Sequence, residues 1–380
     1  MHDAERGLFD LQRGRALFVT TPASQAGQID THGTLLAAVE GLSHQTVAQL
    51  KRLDGGSIRL AVTQHRARAM RWTRKGPLTN ANISVGLNGT SSPDDILRLS
   101  MALAPDVGVS DVRDASAPEV GGLTLARLGR FIPAVVGVSL RLGDAPELQQ
   151  GLESGAILRV PTTQIEAMAA NTHVRVTHVS EGPVPLEGAE DARFMFFREA
   201  NGILEHVAVL IGAQDAWPDP VPVRIHSACL TGDLFGSLRC DCGDQLRGCL
   251  DIFAANGGGA LLYLAQEGRG IGLGNKLRAY ALQQKGLDTV DADCTLGFGP
   301  DERRYDAAVE MLRHLQVERI QLFTNNPEKV RAVRESGIQV VERQPLYGTL
   351  NRHNLRYVRT KVRRAGHWLG DMLSGAVAGE

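Results

Sequence analysis

Three cysteines fall within fourteen residues, in the run Cys229-Leu-Thr-Gly-Asp-Leu-Phe-Gly-Ser-Leu-Arg-Cys240-Asp-Cys242. A structural zinc normally closes its tetrahedron with four protein ligands, often as paired C-x-x-C knuckles. Here there are three thiols and no obvious fourth. Three protein ligands with one open position is the arrangement in which zinc holds and ionises a water, so the spacing points to a catalytic zinc. A distant histidine as fourth ligand would make the site structural, and no metal at all is the third reading. The other two cysteines, Cys249 and Cys294, read as small buried hydrophobes. An odd, clustered set in a chain without an export signal favours metal or catalytic thiols over disulfides.

Composition narrows what such a site could serve. The formal net charge is −1, with 43% hydrophobic and 22% charged residues among 380. That balance is ordinary for a globular protein and removes any bulk electrostatic case for nucleic acid or a membrane surface. An anionic substrate must therefore be met by local basic residues. No apolar run approaches a membrane-spanning length, and Met1–Arg15 lacks the apolar stretch of a secretory signal. The expectation is a cytoplasmic protein.

The chain is long enough for two domains, each with its own core. In the first half Leu36–Leu53 and Pro93–Ala102 read as helices, and Ser57–Val62 and Ala134–Leu140 as strands. Ala145–Gly155 and Val160–Ala170 also read as helices, and the boundary is placed near residue 172. After a polar passage, Ser180–Asp191, come strands at Ala192–Arg198 and His206–Ile211 and a Pro-rich connector, Asp215–Pro222. The second half then alternates. Gln245–Ala255 puts Leu246, Leu250 and Phe253 at helical spacing, and glycines 257–259 end it. Ala260–Leu264 is a strand, Lys276–Lys285 and Tyr305–Leu315 are helices, and Arg319–Phe323 is a strand. Pro327 opens another helix, where proline is tolerated, and Gly337 closes it before strand Gln339–Glu342. Strand–helix–strand order implies an α/β domain with a parallel crossover.

Around the cysteines the chain reads Arg224-Ile-His-Ser-Ala-Cys-Leu-Thr-Gly-Asp and Ser237-Leu-Arg-Cys-Asp-Cys-Gly-Asp-Gln245. Downstream stand Gln266-Glu-Gly-Arg-Gly-Ile-Gly-Leu, Asn275-Lys-Leu-Arg-Ala-Tyr-Ala-Leu, Asp288-Thr-Val, Leu296-Gly-Phe-Gly-Pro-Asp-Glu-Arg303 and Thr324-Asn-Asn-Pro-Glu-Lys329. This ordered set resembles the GTP cyclohydrolase II family, which commits GTP to riboflavin synthesis. The resemblance implies that Cys229, Cys240 and Cys242 hold one zinc per chain. It implies that Arg224, Ile225, His226, Ser227, Ala228, Gln245, Glu267, Gly268, Arg269, Thr289, Thr324 and Lys329 bind GTP. Tyr280 matches a tyrosine needed at the purine, Asp301 a proton acceptor, and Arg303 a nucleophile in pyrophosphate release. Magnesium with the triphosphate, a homodimer, and formate and pyrophosphate as products are implied likewise.

The chemistry of these residue types bears on those roles. Thr324–Lys329 lies between a strand and a helix start, where free N–H groups and the helix dipole favour phosphate. The glycine run 268–274 has neither P-loop nor dinucleotide spacing and reads as a tight loop, with Glu267 able to read guanine N–H donors. His226 and the other histidines read as structural. A guanidinium with a pKa above about 12 suits a charge clamp on the departing phosphate better than a nucleophile. One departure stands out: the family usually has glutamate before its first zinc cysteine, and this chain has Ala228.

Residues 3–170 weakly resemble 3,4-dihydroxy-2-butanone 4-phosphate synthase, through Ala4–Val19, Gly56–Thr63 and Gly122–Ala134. That family follows its first strand with a dense acidic cluster that binds magnesium; here the segment is Thr20-Thr-Pro-Ala-Ser-Gln-Ala-Gly. Its later Gly-His-Thr-Glu is absent near Gly121–Leu125. Without these carboxylates a divalent metal site is not expected. The expected organisation is a two-domain α/β protein. Residues 1–172 form a degenerate dihydroxybutanone phosphate synthase-like α/β domain, residues 173–370 a GTP cyclohydrolase II-like α/β domain, and 371–380 a tail. The competing readings are a family paralogue acting on another nucleotide, and a regulatory protein that binds zinc and nucleotide without turnover.

Overall fold

The computed structural model describes residues 2–22, 32–53, 58–72, 81–87, 91–103, 110–170, 174–370 and 372–373. The residues flanking the expected boundary at 172, most of the tail, and 23–27 of the segment that replaces the acidic cluster lie outside the described residues. The chain divides into two compact units, one of Met1–Asn171 with Gly274–Glu302, the other of Thr172–Leu273 with Arg303–Glu380. Segment 274–302, which the motif order places in the second domain, thus packs with the first unit. Among the described residues no helix is long and apolar enough to cross a membrane.

The first unit contains a seven-stranded sheet. Its strands are β1 Leu17–Thr20, β2 His32–Ala38, β3 Arg59–Val62, β4 Ile83–Gly86, β5 Ser110–Asp114, β6 Ala134–Arg141 and β7 Leu158–Pro161, in the order β5-β4-β3-β6-β2-β1-β7. All neighbours are antiparallel except β1 and β7. Two sequence expectations change here. Leu36–Leu53 is not one helix: Leu36–Ala38 end β2, and a helix starts only at His44. Leu35–Ala38 are fully buried, all four paired with β6 and Leu35 and Leu36 also with β1, so strand pairing overrides their helix propensity. Val160 and Pro161 likewise pair with Val19 and Thr20, and the helix begins at Thr162.

The second unit has its own seven-stranded sheet. Its strands are β8 Val176–Pro183, β9 Arg193–Glu199, β10 Glu205–Ile211, β11 Val221–Ser227, β12 Gly259–Leu264, β13 Arg319–Phe323 and β14 Gln339–Gln344, ordered β14-β13-β11-β12-β10-β9-β8. Strands β8, β9, β10 and β12 pair antiparallel, whereas β12, β11, β13 and β14 run parallel, which bears out the expected crossover. The start of the polar passage, Ser180–Pro183, belongs to β8, an edge strand whose exposed residues hid it from the sequence pattern. Helix Cys242–Ala255 covers one face with Cys249 and Phe253 against Val209, Ile211, Leu261 and Phe323. Helices Asp306–His314 and Pro327–Glu335 cover the other, with Met311, Leu312, Val330 and Val333 against Val223, Ile225 and Leu262. Fully buried Cys249 is a core hydrophobe, as its helical spacing indicated.

Candidate metal centre

Strands β11, β12 and β13 are adjacent and parallel, so their carboxyl ends lie along one edge of the sheet. The order β13-β11-β12 means that the chain steps from β11 to one side, then crosses to the other. Open α/β sheets bind ligands outside the carboxyl ends of their strands at such a switch point. Each of the three ends carries a motif singled out by sequence: Cys229 after β11, Gln266–Arg269 after β12, and Thr324–Lys329 after β13.

The sulfurs of Cys229, Cys240 and Cys242 all lie within 4.8 Å of one another, and no histidine or carboxylate joins them among the described residues. Cys229 and Cys240 are 3.6 Å apart at sulfur. Zinc–sulfur bonds of about 2.3 Å at tetrahedral angles hold sulfurs about 3.8 Å apart, so the donor set fits one such ion. Two glycines permit this approach. A Cβ on Gly232 would sit 2.6 Å from Cys240 Sγ and 3.1 Å from Cys229 Sγ, and one on Gly243 only 2.4 Å from the Gly232 carbonyl oxygen.

Asp233, four residues after the first cysteine, anchors that turn. Its Oδ2 accepts from the Cys229 amide at 2.9 Å and from the Tyr263 hydroxyl at 2.8 Å. Its Oδ1 lies 3.2 Å from His226 Nε2, and the His226 ring stacks on Tyr263 with centroids 5.6 Å apart. Burial lowers the His226 pKa, opposed by Asp233. His226 is thus structural in its contacts. Ile225 is fully buried in β11, Ser227 accepts a bond from Gln266 Nε2 at 3.0 Å, and Ala228 extends the β11–β12 pairing through its amide to Leu264.

A polar chain runs beside the thiols. Arg224 donates to the Phe323 carbonyl at 2.9 Å and to Gln245 Oε1 at 2.5 Å. Gln245 donates to Asp241 at 2.6 Å, and Lys361 donates to the other Asp241 oxygen at 2.9 Å. Asp241 is fully buried between two metal-binding candidates. Lys329 is buried too; its ammonium donates to the Ile225 carbonyl at 2.6 Å and lies 5.7 Å from the Tyr305 ring centroid. Burial holds its pKa well below the ordinary lysine value, and the positive Arg224, Arg303 and Lys361 add to that depression.

Two sequence expectations look different at atomic detail. The turn after β13 is internally capped: Thr324 Oγ1 accepts from the Asn326 amide at 3.0 Å and Asn326 Oδ1 from the Glu328 amide at 2.9 Å. Two of the N–H groups expected to face phosphate there, those of Asn326 and Glu328, are met by the chain itself. Glu267 accepts from the Leu230 amide at 2.6 Å and from the Gly268 amide at 2.8 Å, tying the glycine loop to the thiol turn. Gly268 and Arg269 both adopt positive φ, 64° and 62°, a strained conformation for arginine.

Arg303 belongs with this cluster in the second unit, whereas Tyr280, Thr289 and Asp301 belong to the first. Tyr280 sits on helix Leu273–Gln284 with the Lys276 ammonium 5.8 Å from its ring centroid. Thr289 opens helix Thr289–Thr295 after the Asp288 cap, and Asp301 is exposed. Sequence reasoning missed Asp233, Asp241, Tyr263 and Lys361. The first two stand inside the cysteine run, where a carboxylate four residues after a cysteine, or between two, is a visible signal.

The family model described as GTP cyclohydrolase II matches residues 177–345. The GTP cyclohydrolase-2 of Azotobacter vinelandii is 54% identical over 48% of this chain and 86% of its own. A solved two-domain 3,4-dihydroxy-2-butanone 4-phosphate synthase from A. baumannii spans 91% of this chain and 99% of its own at 14% identity. Its TM-score of 0.32 is too low to equate the folds. The GTP cyclohydrolase-2 of Azospirillum brasilense is 38% identical over 97% of this chain and 94% of its own. A match of that identity through nearly the whole of both chains makes this protein a member of the GTP cyclohydrolase II family.

Proposed function

We propose that this protein hydrolyses GTP to a diaminopyrimidine ribosyl phosphate, formate and pyrophosphate, the first step of riboflavin biosynthesis. The observation that carries the reading is the three-thiol cluster at the carboxyl ends of β11–β13, with Arg224 and Arg303 acting on the buried Lys329 of the same sheet edge. Like charges held this close disfavour one another, and a bound triphosphate relieves that. Cys229, Cys240 and Cys242 would hold one zinc, which supplies Lewis acidity for attack on purine C8, a poor electrophile, and for hydrolysis of the opened amide. Magnesium accompanies the triphosphate.

In this reading Arg303 clamps charge on the departing phosphate, because a protonated guanidinium has no lone pair to attack with. Asp301 takes the proton and Tyr280 meets the purine. Arg224, Gln245, Thr324 and Lys329 bind through the frame they build. Lys329, donating to Ile225, and Glu267, gripping Leu230, hold the segment Arg224–Cys229 and the glycine loop Gly268–Arg269 in register. Thr289 completes the set. Pure protein incubated with GTP should release formate and pyrophosphate in equal amounts. GTP bound but unchanged would favour a regulatory binder, and formate from a different nucleotide alone would favour a paralogue.

Two further outcomes are expected. Ala228→Glu should change the rate by less than about tenfold, roughly 1.4 kcal/mol of barrier, because Ala228 is fixed by its backbone bond to Leu264. An inactive parent that gains GTP hydrolysis from this one change would contradict the reading. The full chain should also form no dihydroxybutanone phosphate from ribulose 5-phosphate with magnesium, since the acidic cluster is missing. Protein-dependent product in that assay would show that the first half retains its own chemistry.

A further inference from the structure

Segment 274–302, which carries Tyr280, Thr289 and Asp301, is built into the first unit with Met1–Asn171. It is held near both of its ends. At the start, Asn275 Nδ2 donates to the Arg130 carbonyl at 2.8 Å. Arg278 makes two bonds to the Glu40 carboxylate, at 3.0 and 2.9 Å, and a third to Asn275 Oδ1 at 2.7 Å. Towards the end, the Thr63 hydroxyl donates to the Gly297 carbonyl at 2.6 Å, and Arg127 donates to Glu302 at 2.8 Å. Gly297 takes a φ of +94°, and a Cβ there would come within 3.3 Å of both Thr63 Oγ1 and Pro133 Cγ, so the close approach is built for glycine.

Arg66 is the strongest of these ties. It is 1% exposed, and its guanidinium donates to the carbonyls of Leu99, Ala102 and Thr295. These oxygens end helices Pro93–Met101 and Thr289–Thr295, so a buried cation faces the negative ends of two helices. An arginine this deeply desolvated is costly for a linker that needs only to connect two points. Glu40 is matched by a bidentate partner, which fixes direction as well as distance.

We propose that Glu40, Thr63 and Arg66 are positioning residues for the GTP reaction: they fix both ends of segment 274–302 and so set the placement of Tyr280, Thr289 and Asp301. The inference rests on the cyclohydrolase reading given above.

The test uses the full-length zinc-loaded protein. Thr63→Val and Arg278→Leu should each raise the KM for GTP about tenfold and lower kcat, a coupling of the size expected for residues sharing one network. Bound zinc should stay unchanged, and Thr63→Ser and Arg278→Lys should recover most of the loss. Leu148→Ala, a cavity in the first unit away from these ties, should lower the melting temperature and leave KM alone. Unchanged kcat and KM in a folded Thr63→Val, Arg278→Leu double variant would overturn the proposal, as would an equal rise in KM from Leu148→Ala. If Thr63→Val does not fold, the Arg278 pair decides, because its side chain is 29% exposed. Failure of the underlying reading is told apart by the parent: no formate from GTP before any substitution brings down both.

Discussion

Cys240→Ser is expected to lose bound zinc and formate release together. The site has three thiols and, among the described residues, no fourth side chain to take over. Serine keeps the size but replaces a thiolate with a hydroxyl that zinc binds poorly. Turnover should fall by more than the roughly 10–100-fold that changes in a ligand's outer partners cost, because the ligand itself is gone. Metal analysis of protein purified without chelator checks the first part, and a formate assay the second. Zinc near one per chain with surviving turnover would show that the three-cysteine assignment is wrong.

Lys361→Met is expected to destabilise the second unit by about 3–5 kcal/mol, the range for stripping one partner from a buried ion pair. Asp241 is fully buried and Lys361 is 18% exposed, with 2.9 Å between them. Without the ammonium, a desolvated carboxylate is left between Cys240 and Cys242, still accepting from Gln245. The disturbance then has a short path through Gln245 to Arg224. Urea unfolding measures the loss, and adding Asp241→Asn should recover most of it because the stranded charge is removed. A loss below about 1 kcal/mol would place the pair among weak surface contacts instead.

The catalytic half was legible in sequence because its signals are local. Helix Cys242–Ala255 has its apolar spacing, helix Pro327–Glu335 its proline and following glycine, and the short strands their flanking turns. The three cysteines were legible for the same reason, and the structure brings their sulfurs together. What sequence did not give depends on distant partners. Leu36–Ala38 have helix-forming side chains, and only burial and pairing with β6 make them strand. Helix Leu355–Ala365 sets Leu355, Val358 and Val362 at helical spacing, a signal the motif-led reading passes over, and Lys361 goes unseen with it. Segment 274–302 reads continuously with the second half. Its membership of the first unit follows from ties such as Arg66 to Thr295, across 229 positions, which no local pattern encodes.

The free amides expected after β13 show the opposite error. A strand followed by Thr-Asn-Asn-Pro suggests a phosphate-binding helix start, but the same polar side chains are good caps, and here they cap. The positive groups of this region, Arg224, Arg303 and Lys329, gather instead around the buried Lys329 ammonium. That arrangement lies at one edge of the sheet and draws on residues separated by about a hundred positions, so it emerges only from the fold.

The most direct measurement follows the purine carbon itself. GTP labelled with carbon-13 at C8 is given to the pure protein, first stripped of metal by chelation, then restored with one equivalent of zinc. The account predicts labelled formate from the zinc-restored protein, matched by pyrophosphate, and none from the stripped protein or from zinc-treated Cys240→Ser. Label that stays in intact GTP while zinc is bound, or labelled formate at full rate from the stripped protein, would contradict it.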